Sequence, residues 1–360
     1  MKNTYIIGEI GQNHNGSVDL AKLIIELISR PVHEDVFGMD FMPMNAVKMT
    51  KRDLSEELAV SQMNQIYDNP NSFGRTYGEH RAFLELDDQA HFEIYKYAKS
   101  LGLDFIETLC AKGCLSLLKL FTPDRLKVAS RDLTNLPLLE ALAETHIPII
   151  LSTGMAGQRE LDNALDVITR YHSNIAILHC VSQYPTHPNN LNLRTITYLK
   201  KHYNKFEIGF SDHTIGISAA TAAVAMGAEI IEKHVTIDRH MKGTDQLGSL
   251  GPDGVNRMIR DIRIAECWLG TEDLYIEKGV EKSKIKLERS IATRKYIPAG
   301  SIIQESDIHL LSPGDGYKWI DKKNVIGHFA KQDISANEII YPDSVSYTHL
   351  RAHETGRNLV

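Results

Sequence analysis

The stretch Phe206-Glu207-Ile208-Gly209-Phe210-Ser211-Asp212-His213, followed later by Ala228-Glu229-Ile230-Ile231-Glu232-Lys233-His234, decides how this chain folds. Both segments are short apolar runs that close on polar residues and a histidine. Between them lies an alanine-rich helical stretch, residues 216–227, ending in Gly227. Strand, helix and strand within about 30 residues is the parallel crossover unit, which brings both strand ends to one side of a sheet. His213 and His234 are 21 residues apart and therefore sit at the carboxyl ends of neighbouring strands. They either share one metal ion, imidazole being the commonest neutral ligand, or are two unrelated strand-end histidines.

Working outward, the same alternation runs from the start of the chain to about residue 270. Strands are predicted at residues 5–10, 46–49, 104–108, 125–128, 148–151, 175–179, 207–210 and 228–232. Helices are predicted at 20–29, 89–101, 112–120, 136–145, 160–171, 193–203 and 218–226, with a last one at 253–269. Eight strand-helix repeats over this length predict an α/β fold, a (β/α)8 TIM barrel with its active site at the carboxyl ends of the strands. A doubly wound sheet is the alternative. It would place a GxGxxG loop after the first strand, where this chain has Gly8-Glu9-Ile10-Gly11-Gln12-Asn13-His14-Asn15-Gly16. Residues 31–45 and 50–80 interrupt the rhythm, and 68–80, rich in turn formers, reads as a long loop on the catalytic face.

The barrel is expected to occupy residues 1–270 and a charged linker 271–286. A small, mostly β module follows at 287–345, too small to be robust alone. Residues 346–360 turn abruptly polar and read as a non-native tail of adapter read-through, with a genuine disordered tail as the alternative.

Of the 360 residues, 42% are hydrophobic and 24% charged, the composition of a globular chain. A net charge of -6 argues against nucleic acid as a partner. No apolar run is long enough to span a membrane, and the N-terminal residues lack the pattern of a signal peptide, so a cytoplasmic location is expected. Cys110, Cys114, Cys180 and Cys267 lack CxxC spacing, and Cys110 and Cys114 read as buried free thiols, with a disulfide or a metal pair as the alternative.

The predicted strand ends collect polar groups. The first ends in Glu9, Gln12, Asn13 and His14, the second carries Lys48, the third Thr108, and the fourth Lys127 followed by Ser130. The fifth delivers Ser152-Thr153-Gly154-Met155 and the sixth His179, Ser182 and Tyr184, while Lys242 and Asp245 follow the eighth. Two lysines from different strands, several hydroxyls and a Ser-Thr-Gly turn suit a small polyanion. Lys127 alone would also suit a Schiff-base aldolase, against which the histidine pair speaks.

Six segments in order resemble the sialic acid synthase family. They are 8–16, Lys127-Val128-Ala129-Ser130, Leu151-Ser152-Thr153-Gly154-Met155, His179-Cys180-Val181-Ser182-Gln183-Tyr184-Pro185-Thr186, Gly209-Phe210-Ser211-Asp212-His213-Thr214 and Ile231-Glu232-Lys233-His234-Val235-Thr236. The module at 287–345 is similar to that family's C-terminal SAF (antifreeze-like) domain. The resemblance implies a condensation of phosphoenolpyruvate with an open-chain N-acetylmannosamine-type sugar (an N-acetylated hexose) and water, giving a nonulosonic acid and phosphate. It implies a divalent metal, manganese or magnesium, held at His213 and His234, and a water-assisting carboxyl at Glu9. It assigns phosphoenolpyruvate to Lys48, Thr108, Lys127, Ser130, Ser152, Ser182 and Tyr184, and sugar hydroxyls to Asp245 and Asp132, with Glu232 behind a ligand or water. A domain-exchanged homodimer is implied as well.

Departures from the family fall on the sugar side. Ser312 replaces an arginine that many N-acetylneuraminate synthases carry before the SAF Pro-Gly. Thr50 stands where many relatives have glutamine, Ser130-Arg131-Asp132 replaces a Ser-Gly-Glu turn, and Gln246 replaces a histidine. Losing a bidentate cation removes a strong contact, so a legionaminic-, pseudaminic- or spore-coat-type sugar, or a 6-phosphorylated one, is an alternative acceptor. A non-catalytic sugar-binding descendant is the alternative from another class.

Overall fold

A computed structural model of the chain describes residues 3–346. The predicted tail therefore lies, from residue 347 on, outside the described residues. The chain divides into two units, at residues 1–270 and 271–360.

The first unit is a closed barrel of eight parallel strands. They are β1 (Tyr5–Glu9), β2 (Ala46–Lys51), β3 (Asp104–Leu109), β4 (Arg125–Val128), β5 (Ile149–Ser152), β6 (Ile175–Cys180), β7 (Glu207–Asp212) and β8 (Ile230–His234). Each pairs with its sequence neighbours, and β1 closes the ring against β8 with Glu9 beside His234. Alternate residues of a strand face one side, so each strand sends every second side chain inward. At the amino-terminal end the Tyr5 hydroxyl donates to Asp104 at 2.6 Å, and Arg125 pairs with Glu207 at 2.9 Å. Above them Ile7, Ala46, Ile106, Ile150, Ala176, Leu178 and Ile230 fill the interior. Gly209 belongs to this layer because a Cβ there would lie 2.5 Å from the Ile230 carbonyl oxygen. One step further along the same inward stripes come Glu9, Lys48, Thr108, Lys127, Ser152, Cys180, Ser211 and Glu232. The outward stripes pack beneath the surrounding helices in a second, larger core.

Two regions differ from the sequence expectation. Lys112–Lys119 is a 3₁₀-helix rather than an α-helix. Its buried residues Cys114 and Leu117, with Ala111 at the N-cap before it, recur every three positions, the period at which a 3₁₀-helix keeps one face turned inward. The loop expected over 68–80 stops at Thr76, the N-cap of helix Tyr77–Leu84. Thr76 accepts from the Glu79 amide while Glu79 accepts from that of Thr76, a capping box read past in the sequence. Cys110, Cys114 and Cys180 are buried free thiols, but Cys267 is exposed, because it lies on the solvent side of helix Pro252–Trp268.

In the second unit, the stretch expected as a linker contains an exposed helix, Glu281–Leu287. Beyond it, Ser290–Thr293 pairs antiparallel with Ile308–Leu311, and Phe329–Ala330 with Val345–Ser346. Ile291, Ile303, Ile308, Val325, Ile340 and Val345 form a core of their own.

The outward side of β7 and β8 holds a fully buried ion pair. Lys233 Nζ lies 2.9 Å from Asp212 Oδ2 and donates to the Thr214 carbonyl, while Asp212 Oδ1 accepts from the Thr214 amide. The pair thereby fixes the turn that presents His213. Removing one partner strands a charge out of water, so Lys233→Met should lower the stability of the barrel by about 3–5 kcal/mol. Adding Asp212→Leu should recover much of that loss. Urea denaturation followed by circular dichroism checks both, and an unshifted midpoint for Lys233→Met would contradict this role.

Candidate active site

The inward stripes open at the carboxyl ends of the strands into a cavity of about 370 Å³. It gathers Glu9, Lys48, Thr108, Lys127, Ser130, Ser152, Ser182, Tyr184, His213, His234 and Asp245 around one space. Of the residues assigned to phosphoenolpyruvate, sugar, water or metal, Asp132 does not line it; its carboxylate turns aside to accept from Arg131 Nε at 3.2 Å, and Arg131 lines the cavity instead. His179 points outward to the Leu191 carbonyl, and Asn13 is spent on Val235 and Ser249.

The floor is a buried charge network. Lys48 Nζ lies 2.5 Å from Glu9, 3.8 Å from Glu232 and 3.3 Å from the Thr108 hydroxyl. Lys127 Nζ lies 3.3 Å from the other Glu232 oxygen, which also accepts from Ser211 at 2.9 Å. Burial pushes the Glu9 carboxyl up to about 7; Lys48 opposes the rise and the Glu232 charge adds to it. Burial acts the same way on Glu232, but Lys127 and Lys48 outweigh it and hold that carboxyl down, to about 2. Burial lowers Lys127 despite Glu232. For Lys48, Glu232 and Glu9 overcome burial and raise it above an ordinary lysine. Two carboxyls pushed apart in this way divide into a permanent anion and a group able to gain or lose a proton near neutrality.

One wall is built of hydroxyls around a glycine. Ser130 Oγ accepts from the Gly154 amide at 3.0 Å, while Ser152 Oγ is buried with no partner. A Cβ on Gly154 would sit 2.4 Å from Ser182 Oγ, 2.8 Å from Ser130 Oγ and 2.9 Å from Cys180 Sγ, filling the space between them. Gln12 Nε2 and Glu232 Oε2 are likewise buried without a hydrogen-bond partner. Buried polar atoms left open in one cavity call for a polar ligand. Lysines and hydroxyls together suit an oxyanion.

At the mouth stand the two imidazoles, their ring centroids 5.7 Å apart. His213 Nδ1 donates to the Val181 carbonyl at 2.9 Å, which leaves Nε2 to accept from the Tyr184 hydroxyl at 3.0 Å. His234 Nδ1 is buried with no partner. Burial holds His213 down to about 4, with His234 contributing, and burial lowers His234 as well. Neutral imidazoles are ligands for a divalent cation; His234 Nδ1 is open to one, whereas His213 Nε2 would exchange the Tyr184 hydroxyl for it. Among the described residues they are not part of a group of three or more His, Cys, Asp or Glu able to hold one.

Reading the sequence for motifs singled out Thr50 only as a departure from the family and gave no site role to Cys180, Ser211, Arg52, Tyr67, Tyr77, His80 and Arg81, all of which line the cavity. The period-two inward stripe would have found the first three. The others come from the chain between β2 and β3, where no such period operates, Tyr77, His80 and Arg81 from helix Tyr77–Leu84.

An eight-stranded parallel barrel with a polar cavity at its strand ends is an enzyme scaffold, and here the cavity is lined by two lysines, several hydroxyls and two imidazoles. The NeuB family pattern matches residues 42–273 and the SAF domain pattern residues 288–346. The chain belongs to the NeuB family, the sialic acid synthase family, and carries its SAF domain. The N,N'-diacetyllegionaminic acid synthase of Legionella pneumophila is 32% identical over 92% of this chain and 92% of its own. Human N-acetylneuraminate-9-phosphate synthase is 30% identical over 95% and 92% respectively. Among solved structures, the N-acetylneuraminic acid synthetase of Leptospira borgpetersenii in complex with citrate is similar with a TM-score of 0.65 and 30% identity, over 78% of this chain and 90% of that one.

The glycine at the hydroxyl wall is testable by itself. Gly154→Ala should weaken binding of an oxyanion at least tenfold, about the value of one charge-assisted hydrogen bond. Calorimetric titration with inorganic phosphate checks this, and unchanged affinity would show that the hydroxyls do not surround the anion.

Proposed function

We propose that this chain condenses phosphoenolpyruvate with an N-acetylmannosamine-type sugar and water, releasing phosphate and a nonulosonic acid. The observation that carries the proposal is the placement of two imidazoles beside a buried network of two lysines, two glutamates and the unpartnered Ser152 hydroxyl. In the reaction, C3 of phosphoenolpyruvate bonds to the aldehyde carbon and the aldehyde oxygen takes a proton. Water adds to C2 and loses a proton, and departure of phosphate leaves the 2-keto acid.

Lys48, Lys127 and Thr108 offset the charge of the enol phosphate from below, and Ser130, Ser152 and Ser182 donate from the side. Tyr184 stands over the His213 ring at a centroid distance of 4.0 Å, where it bounds the space left for the sugar, and Asp245 offers acceptors to its hydroxyls. Glu9, with its carboxyl at about 7, is placed to take the proton from the water that attacks C2. Glu232 stays ionised and keeps both ammonium groups apart and oriented. His213 and His234 would hold a divalent metal, manganese or magnesium, which when bound supplies Lewis-acid polarisation of the aldehyde. A domain-exchanged homodimer in the cytoplasm is part of the same reading.

The test is phosphate release from phosphoenolpyruvate with manganese and a panel of N-acetylated hexoses, with and without EDTA. Sugar-dependent release that EDTA abolishes is expected, and release independent of both would reject the reaction. His213→Ala should abolish turnover and lower manganese affinity measured directly by calorimetry. Glu9→Gln should cut kcat by about 10²–10⁴-fold while the KM for phosphoenolpyruvate changes far less. Lys127→Ala should act mainly by raising that KM, and an effect confined to the sugar KM would overturn the pocket assignment.

A further inference from the structure

Arg52 and Arg131 both donate to one oxygen, Glu57 Oε2, at 3.1 and 2.8 Å. Arg131 follows β4, directly across the ring from the β8 strand that ends in His234, and Arg52 follows β2, two strands round from β8. Both arginines line the cavity; Glu57 does not, and stands behind them as their shared anchor. The Asp132 carboxylate fixes Arg131 from a second side, and Glu85 lies 3.6 Å from Arg52 Nε. A guanidinium has five N–H donors. Among the described residues, no hydrogen bond uses Arg131 Nη1 or Arg52 Nη2. The carboxylates thus hold two planar cations in place and leave donors free. Such a fork matches a phosphate or carboxylate in two-point fashion, which a sugar hydroxyl does not exploit.

We propose that Arg131, supported by Arg52, selects an acceptor sugar with an anionic group at the end remote from its aldehyde. This rests on the synthase reading above. With the aldehyde carbon at the histidines, the acceptor chain runs over the lysine floor, and its far end meets the arginine wall. The floor already supplies two cations for phosphoenolpyruvate, so the arginines are available for a second anion. The shared chemistry is a terminal oxyanion, phosphate ester or carboxylate.

Three N-acetylhexosamine acceptors, with a free, a phosphorylated or a carboxylate C6, separate the cases in the phosphate-release assay. An anionic acceptor should exceed the neutral one in kcat/KM at least tenfold, and whichever of the two is faster names the group. Arg131→Gln, which keeps a polar stub beside Glu57, should lower kcat/KM on that acceptor by about 10–100-fold, mainly through its KM. The KM for phosphoenolpyruvate should move far less, and Arg131→Lys should restore part of the loss. A preference for the neutral sugar, or an effect falling on phosphoenolpyruvate, would overturn the proposal. Calorimetric binding of the C6-phosphorylated sugar without phosphoenolpyruvate tests it apart from turnover. If no sugar is turned over, the synthase reading fails. Binding weakened by Arg131→Gln would then still support the arginine site, whereas binding indifferent to it would reject the site.

Discussion

Everything in the cavity depends on Glu232. Its carboxylate is buried between Lys127 and Lys48, and without it two ammonium groups would face each other out of water. An isolated buried cation is expensive unless paired, and two together are more so. Glu232 makes the lysines tolerable, and Ser211 fixes the oxygen that faces Lys127. The arrangement also separates the two carboxyls, since the lysines hold Glu232 ionised while burial leaves Glu9 able to carry a proton.

Barrel closure decides that these four side chains meet. Glu9, Lys48, Lys127 and Glu232 come from β1, β2, β4 and β8, and only a closed ring brings β8 beside β1. Each sits one inward step above the apolar layer of Ile7, Ala46, Ile106 and Ile230. A one-residue slip in any strand would exchange a charge for an outward apolar side chain. The hydrophobic layer therefore sets the register of the polar one.

That dependence explains what could be read from the sequence. The eight strands were legible because each is a short apolar run between helical stretches, and Lys48, Thr108, Lys127 and Ser152 because they end such runs. Cys180 and Ser211 were legible in principle, lying two positions beyond Leu178 and Gly209 on the same stripes. Glu232 was visible, but its central role was not, because that role is set by contacts to lysines more than 100 residues away. The 3₁₀ turn at 112–119 hid behind a composition that suits an α-helix equally well. Asp132 was placed at the sugar by resemblance to the family, yet a neighbouring guanidinium captured its carboxylate.

The arginine wall was the least legible part, and for a physical reason. Arg52, Glu57 and Arg131 belong to segments outside the strands, where neither a period of two nor a hydrophobic layer fixes side-chain direction. Their geometry comes from one carboxylate accepting from two guanidiniums 79 positions apart in the chain. The floor of the cavity is thus dictated by strand pairing, which leaves little room for variation, while the wall is dictated by loop contacts that can change one residue at a time. A barrel of this kind keeps the chemistry of its buried layer constant and varies the group it reads at the rim. The sequence departures obey that division, since Thr50 and Arg131 lie at the upper edge of the strands and the lysines and glutamates beneath them are intact.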